Sequence, residues 1–186
     1  MYLKILDFDD KKHYESDIIK ILTESDKDFV PPLSARKSTL DKNFDEGFSD
    51  VGGIYSYFEE MKKQEILAAF EDGKIIGFVS YRLNFVSEDI PETELPNIYV
   101  STLVLGREAR GKGLTKKMYA YLFSDLYADR NVFTRTWSTN YAHTKILSDF
   151  GFSEIKRKEN DRGKGIDTVY YKKRKNLIPL TLAVLK

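Results

Sequence analysis

The sequence predicts an α/β fold, on three observations. Seven stretches read as strands, and helical stretches are interspersed among them. The middle strand, residues 98–105, is apolar, β-branched and uncharged, and runs into a glycine-containing loop and then an amphipathic helix. No internal repeat, low-complexity tract or linker interrupts the 186 residues, a length that suffices for one domain with a substantial core. The expected unit is a single domain over residues 1–186, with residues 173–186 as a C-terminal tail.

In chain order, residues 2–6 alternate as a strand does. Residues 13–22 read as a helix with Tyr14, Ile18, Ile21 and Leu22 on one face and Asp10 as its cap. His13 reads as a solvated helix residue rather than a ligand. Residues 29–47 are irregular, with Pro31 and Pro32 imposing an extended path. Long loops inside compact domains are often binding elements, so Arg36 and Lys37 are candidates to face an anion; a solvated basic loop is the alternative. Residues 55–63 look helical. Residues 66–70 and 75–81 form a hairpin signature around Asp72 and Gly73. Residues 87–96 are acidic, carrying Glu88, Asp89, Glu92 and Glu94, and lead into the middle strand. In residues 114–126, Leu114, Met118, Tyr121, Leu122 and Leu126 recur at spacings of three and four. A strand over 131–139 and a helix over 140–149 follow, the helix stopped by Gly151. Residues 152–156 and 166–172 read as two further strands, with the turn signal at residues 160–163 between them. The apolar stretch 177–185 is expected to pack on the body or on a second subunit, which makes a homodimer an expectation.

Composition excludes several classes. Lys+Arg 30 against Asp+Glu 29 leaves a net charge of +1, without the basic excess of a general nucleic-acid binder. No stretch approaches the roughly 20 apolar residues of a membrane span, and the N-terminus lacks a signal-peptide layout. Cysteine is absent, which rules out disulfides, thiolate zinc sites and a cysteine nucleophile, and fits a cytoplasmic home. With only His13 and His143, no metal site is expected.

The loop after the middle strand is where chemistry is expected. A glycine loop entering a helix N-terminus offers free backbone N–H groups and the positive end of the helix dipole to an anion. Arg110, Lys112 and Lys116 add charge. The spacing fits neither of the commoner phosphate loops. A Walker A loop needs G-x-x-x-x-G-K-[ST], and a dinucleotide fingerprint needs a third glycine where Lys116 stands.

Arg110, Gly113 and Thr115 do occupy the fixed positions of Q/R-x-x-G-x-G/A. In this the stretch resembles the acyl-CoA-binding motif of the GNAT N-acetyltransferase superfamily. Asn140, Gly151 and Phe152 match the second characteristic segment, N-x-x-A-x-x-L-Y-x-x-x-G-F, with Ile146 a conservative match. The resemblance covers residues 66–172 well and the N-terminal third only in element order. It implies a mixed, mostly antiparallel central sheet of six to seven strands, splayed at the acyl-CoA site and flanked by helices on both faces. It further implies an N-acetyltransferase that takes acetyl-CoA as co-substrate and an amine-bearing small molecule or protein amino group as acceptor. The pyrophosphate would lie on Gly111, Lys112, Gly113, Leu114, Thr115 and Lys116 beside Arg110. The pantetheine arm would pair with Leu103, Val104 and Leu105, and Asn140 would contact it. Without a cysteine, the acceptor amine is expected to attack directly in a ternary complex.

The acid/base half of the family pattern is missing. Thr115 replaces the usual Gly or Ala, His143 replaces the Ala, and Leu147 replaces the Tyr that in many relatives protonates the leaving thiolate. Arg135 and Tyr99 stand where some relatives carry a Glu base. The candidates for a base are Tyr99 acting through water, His143, and the pair Glu92 and Glu94; positioning alone is the alternative. The acidic stretch points to a cationic acceptor such as a polyamine, an aminoglycoside or lysine. Two other readings stay open: a non-catalytic acyl-CoA-binding regulatory module, and an RNA-associated module using the basic residues 107–117.

Overall fold

The computed structural model of the protein describes residues 1–36 and 53–175. Its strands are β1 (Tyr2–Ile5), β2 (Glu65–Glu71), β3 (Lys74–Leu83), β4 (Asn97–Leu105), β5 (Asn131–Trp137), β6 (Ser153–Lys158) and β7 (Thr168–Lys173). They form one sheet in the order β1-β2-β3-β4-β5-β7-β6. Every neighbouring pair is antiparallel except the central β4–β5 pair. The mixed, mostly antiparallel sheet implied by the motif resemblance is the one observed.

The helices are α1 (Phe8–His13), α2 (Glu15–Ser25), α3 (Gly53–Met61), α4 (Leu114–Ala120) and α5 (Tyr141–Asp149). The single helix expected over residues 13–22 is two, because a capping box starts α1 earlier. Asp7, not Asp10, is the cap: its carboxylate accepts the Asp10 N–H at 2.8 Å. Asp10 answers as the third-position acid, accepting the Asp7 N–H at 3.1 Å. The helix expected over 114–126 is α-helical only as α4 and widens into a π-helical turn over Tyr121–Leu126. There the Tyr127 N–H reaches the Leu122 carbonyl at 3.1 Å, a five-residue step. In the β2–β3 turn, Asp72 (φ 50°) and Gly73 (φ 77°) both adopt the left-handed conformation of a tight hairpin. Residues 37–52, which include Lys37, and the apolar tail lie outside the described residues.

Strand alternation builds an apolar layer on each face. Leu67, Val79, Ile98 and Val100 pack against Met118 and Leu122 of the α4 segment and Leu147 of α5. Ile66, Phe70 and Phe78 face the other way, against Ile18 and Leu22 of α2 and Tyr57 and Phe58 of α3. Each such side chain contributes about 1.5–3 kcal/mol on burial.

One irregularity positions the site. Ser80 pairs with Thr102 and Tyr81 with Val100, so Ser101 is an extra residue in β4. This bulge reverses the alternation. Val100 joins the α4 side, whereas Thr102 holds the buried Tyr57 hydroxyl of α3 at 2.6 Å and Val104 joins the α2–α3 side. A bulge also bends and twists its strand, which carries the second half of β4 away from β5.

Candidate active site

The parallel ladder between β4 and β5 is short, running from Asn97↔Asn131 to Val100↔Thr134. The Thr134 hydroxyl donates to the Val100 carbonyl at 3.0 Å and closes it. Past this point the two strands diverge around a cavity of about 310 Å³. Leu103, Val104 and Leu105 of β4 form one wall. Arg110, Gly111 and Thr115 form one end, with Asn140 and His143 beside them. Of the residues singled out in the sequence, these eight and Arg36 line the cavity, while Tyr99, Lys112, Gly113, Leu114 and Lys116 are not on the wall.

The loop at this end is built to leave its amides open. Gly111 (φ 72°) and Gly113 (φ 74°) are left-handed, and a Cβ on either would meet no heavy atom within 4 Å. Among the described residues, the first helical bond is Lys117 N–H to the Gly113 carbonyl at 3.2 Å; the N–H groups of residues 111–116 donate to no protein acceptor. Unpaired N–H groups at the start of a helix are donors suited to an oxyanion. The charged side chains nearby serve the scaffold. Arg110 pairs with Asp28 at 2.8 Å and donates to Ser25 Oγ (2.8 Å) and the Leu105 carbonyl (3.1 Å), bracing the loop on the end of α2. Lys116 pairs with Asp149 at 2.7 Å. Leu114 buries its side chain in the core, and Lys112 is exposed.

Asn140 caps α5. Its Oδ1 accepts the His143 N–H at 3.3 Å and its Nδ2 donates to Thr136 Oγ1 at 3.1 Å. His143 lines the cavity with Nε2 held 2.8 Å from the Tyr119 hydroxyl of α4. Burial pushes its pKa down to about 4, so the ring is neutral at pH 7. Leu147, at the family's tyrosine position, is fully buried in the core. Tyr99 is packed with Ile90, Phe133 and Phe85, and burial raises its phenol pKa. Glu94 is bound to Lys172 and Asn131, and neither it nor Glu92 reaches the cavity.

The far end of the cavity is assembled from segments that are remote in sequence. Alternation along β5 turns Thr134 and Thr136 toward α4 and α5, and Arg135 and Trp137 to the opposite face. There Arg36, from the turn after Leu33–Ala35, and Arg162, from the β6–β7 connection, join Arg135 on the wall. Arg36 and Arg162 are each only 8% exposed. Arg36 donates twice to the Pro31 carbonyl (3.1 and 2.8 Å) and lies over Phe29. Arg162 donates to Thr168 Oγ1 at 2.9 Å and to the Val30 carbonyl, and lies over Trp137. Arg135 lies over Tyr170, its guanidinium 3.4 Å from the Tyr170 hydroxyl. Burial, then the neighbouring Arg36 and Arg135 charges, lower the Arg162 pKa to about 10. Arg162 is invisible in the sequence as a site residue, since it sits in an ordinary turn signal.

Residues 32–152 match the family described as Acetyltransferase (GNAT) family. No curated protein matches the chain. Among solved structures, the ribosomal-protein-alanine N-acetyltransferase of Brucella melitensis is 14% identical, with 94% of this chain and 99% of that one covered at a TM-score of 0.63. An N-acetyltransferase of Staphylococcus aureus Mu50 is 16% identical, covering 94% and 98% at 0.63. An acetyltransferase of Salmonella typhimurium, solved with acetyl-CoA as its cofactor, is 14% identical, covering 95% and 94% at 0.61. At these identities the structures attest the shared fold, and the family match spans well over half of the sequence: the chain belongs to the GNAT family of acetyltransferases.

Proposed function

We propose that this protein transfers an acetyl group from acetyl-CoA to a primary amine by direct attack in a ternary complex. The observation that carries this reading is the open set of amides at residues 111–116, placed at one end of the cavity between β4 and β5. Acetyl-CoA supplies an anionic diphosphate for those amides and a thioester whose carbonyl carbon takes the amine as the thiolate departs. In this reading Gly111, Lys112, Gly113, Leu114, Thr115 and Lys116 bind through their N–H groups. Arg110 holds the loop in place rather than serving as the main phosphate contact, since Asp28 already takes its guanidinium.

Residues 101–105 of β4 have no strand partner on the β5 side, so Leu103, Val104 and Leu105 offer a strand edge to the pantetheine amides. A backbone N–H on that edge also suits a polarised thioester oxygen, a contact whose loss typically costs about 3 kcal/mol of barrier. Asn140 lies within the same wall and would contact the arm. His143 and Tyr119 shape the wall beside it. No carboxylate base stands in the cavity among the described residues apart from Asp28, which is paired with Arg110. The reaction then rests on positioning, with the amine losing its proton to solvent and the thiolate stable enough to leave without a dedicated acid.

Two measurements test this. At a hundredfold excess over Kd, acetyl-CoA should stabilise the fold by about 2.7 kcal/mol, raising Tm by roughly 5–10 °C. Free thiol should then appear with acetyl-CoA and an acceptor amine from a panel. No shift in Tm sinks the phosphate site. A shift with no thiol released by any amine identifies a binding module in place of an enzyme.

A further inference from the structure

Three guanidinium groups line the end of the cavity that faces away from α4, those of Arg36 and Arg162 buried and that of Arg135 half-buried. Burying a cation in low dielectric is costly unless an anion compensates it. Among the described residues, Arg36 and Arg162 have no carboxylate in direct contact. Arg36 and Arg162 bond to the carbonyls of Pro31 and Val30 and to the Tyr57 and Thr168 hydroxyls, which satisfy hydrogen bonds without cancelling charge. Asp161 is linked to Arg162 through Thr168, whose hydroxyl donates to the Asp161 carboxylate at 2.6 Å, and its charge acts on Arg162 and Arg135 from that distance. The one carboxylate on the cavity wall among the described residues, Asp28, is committed to Arg110 at the opposite end.

The aromatic floor fixes the geometry. Phe29 and Trp137 meet at a tilt of 53° with their centroids 5.8 Å apart, and each carries an arginine over its face. Tyr170 does the same for Arg135. A ring beneath a guanidinium holds it in place, and Arg36 and Arg162 have more N–H donors than these contacts use, which suits a planar or tetrahedral oxyanion. The three arginines come from the segment after α2, from β5 and from the β6–β7 connection, so the cluster is not a by-product of one basic helix or loop. It also lies across the sheet from the glycine loop, where the other substrate of a ternary complex has room.

We propose that the acceptor amine carries an oxyanion, either a carboxylate or a phosphate, which Arg36, Arg135 and Arg162 hold on the face of the sheet opposite α4. The assignment rests on the acetyl-transfer reading and deepens it by naming the acceptor class. It replaces the cationic acceptor suggested by the acidic stretch at residues 88–94. Asp89 of that stretch is bound to Lys156 and Lys158, and Glu94 to Lys172, outside the cavity.

The test has a binding arm and a turnover arm. Trp137 is the only tryptophan in the chain and lies directly beneath Arg162, so its fluorescence reports on this end of the cavity. Titration with malonate and with inorganic phosphate should give a saturable change, and malonamide none. The stronger of the two anions identifies the source of the oxyanion. Arg162→Gln should weaken the effect at least tenfold, as should the independent variant Arg36→Gln, with circular dichroism confirming the fold of each. In turnover, amino acids or amino-sugar phosphates should exceed their neutral amides or unphosphorylated counterparts by at least tenfold in kcat/KM. The variants should raise the acceptor KM tenfold while leaving acetyl-CoA affinity unchanged. An equal response to malonamide, faster turnover of neutral or polycationic amines, or variants that weaken acetyl-CoA instead would overturn the proposal. Loss of acetyl-CoA binding in the unmutated protein would be a failure of the acetyl-transfer reading itself, and the fluorescence arm separates the two.

Discussion

His143 illustrates how one side chain changes meaning between sequence and fold. As a sequence position it offered an imidazole suited to proton transfer near neutrality. In the fold, burial lowers its pKa to about 4 and its Nε2 is engaged by the Tyr119 hydroxyl. The folded value lies below the unfolded one near 6.5, so the unfolded chain binds the extra proton between them. The stability this contributes is complete above about pH 6.5 and is lost as pH falls toward 4, amounting to about 3 kcal/mol. His143→Gln should therefore lose less stability than the wild type when urea unfolding is compared at pH 7 and pH 4.5; equal losses contradict the burial argument. Catalytically, kcat/KM should rise along the acceptor amine's own ionisation with no inflection near 6.5, and His143→Gln should cost less than tenfold. Gly113 makes the complementary case. Its φ of 74° is left-handed and its Cβ position is open, so Gly113→Val meets strain rather than collision. A side chain there costs roughly 1–2 kcal/mol in strain, a Tm loss of about 3–6 °C. It also stands beside the open amides, so acetyl-CoA affinity by calorimetry should fall at least tenfold. Unchanged affinity would remove the loop from the binding site.

Among the elements, β4 decides the most. Its register with β3 leaves Ser101 unpaired, and that one residue both bends the strand and exchanges the faces of everything after it. The composition of residues 98–105 announces a strand but gives no sign of the bulge, because Val, Thr and Leu on either side suit either face. The charge of the acidic connection before β4 suggests a cationic substrate, yet Asp89 and Glu94 act as ties. Asp89 pairs with Lys156 at 2.6 Å and Lys158 at 3.0 Å on β6, and is nearly buried. Burial alone would raise its pKa, but hydrogen bonds from Lys156, Lys158 and Tyr170 outweigh it and hold the carboxyl well below the usual range. That stability is present above about pH 4 and is lost as pH falls below it. Asp89→Asn should cost about 1–2 kcal/mol at pH 7, read as a Tm loss of roughly 3–6 °C, and the deficit should shrink at pH 2.5. A deficit independent of pH would mean that packing, not charge, makes the tie.

For the whole molecule, the sheet separates the two halves of the proposed site. The glycine loop and α5 occupy one face, the three arginines the other, and the cavity between β4 and β5 joins them. Two ligands approaching from opposite faces can be bound together, and the chain has no cysteine to carry an acyl group between them. Double-reciprocal plots against acetyl-CoA at several acceptor concentrations should intersect. Parallel lines would indicate a covalent acyl-enzyme and contradict direct transfer.

Local signals in the chain were enough for the seven strands and most of the helices, the Asp72–Gly73 hairpin, the glycine loop and both family motifs, because each depends on residues close together in sequence. Tertiary packing alone decided the rest. It set the bulge at Ser101 through pairing with β3, neutralised His143 by burial, and gathered Arg36, Arg135 and Arg162 from three distant segments. Register, desolvation and long-range convergence are properties of the space between segments, and no window of sequence contains them.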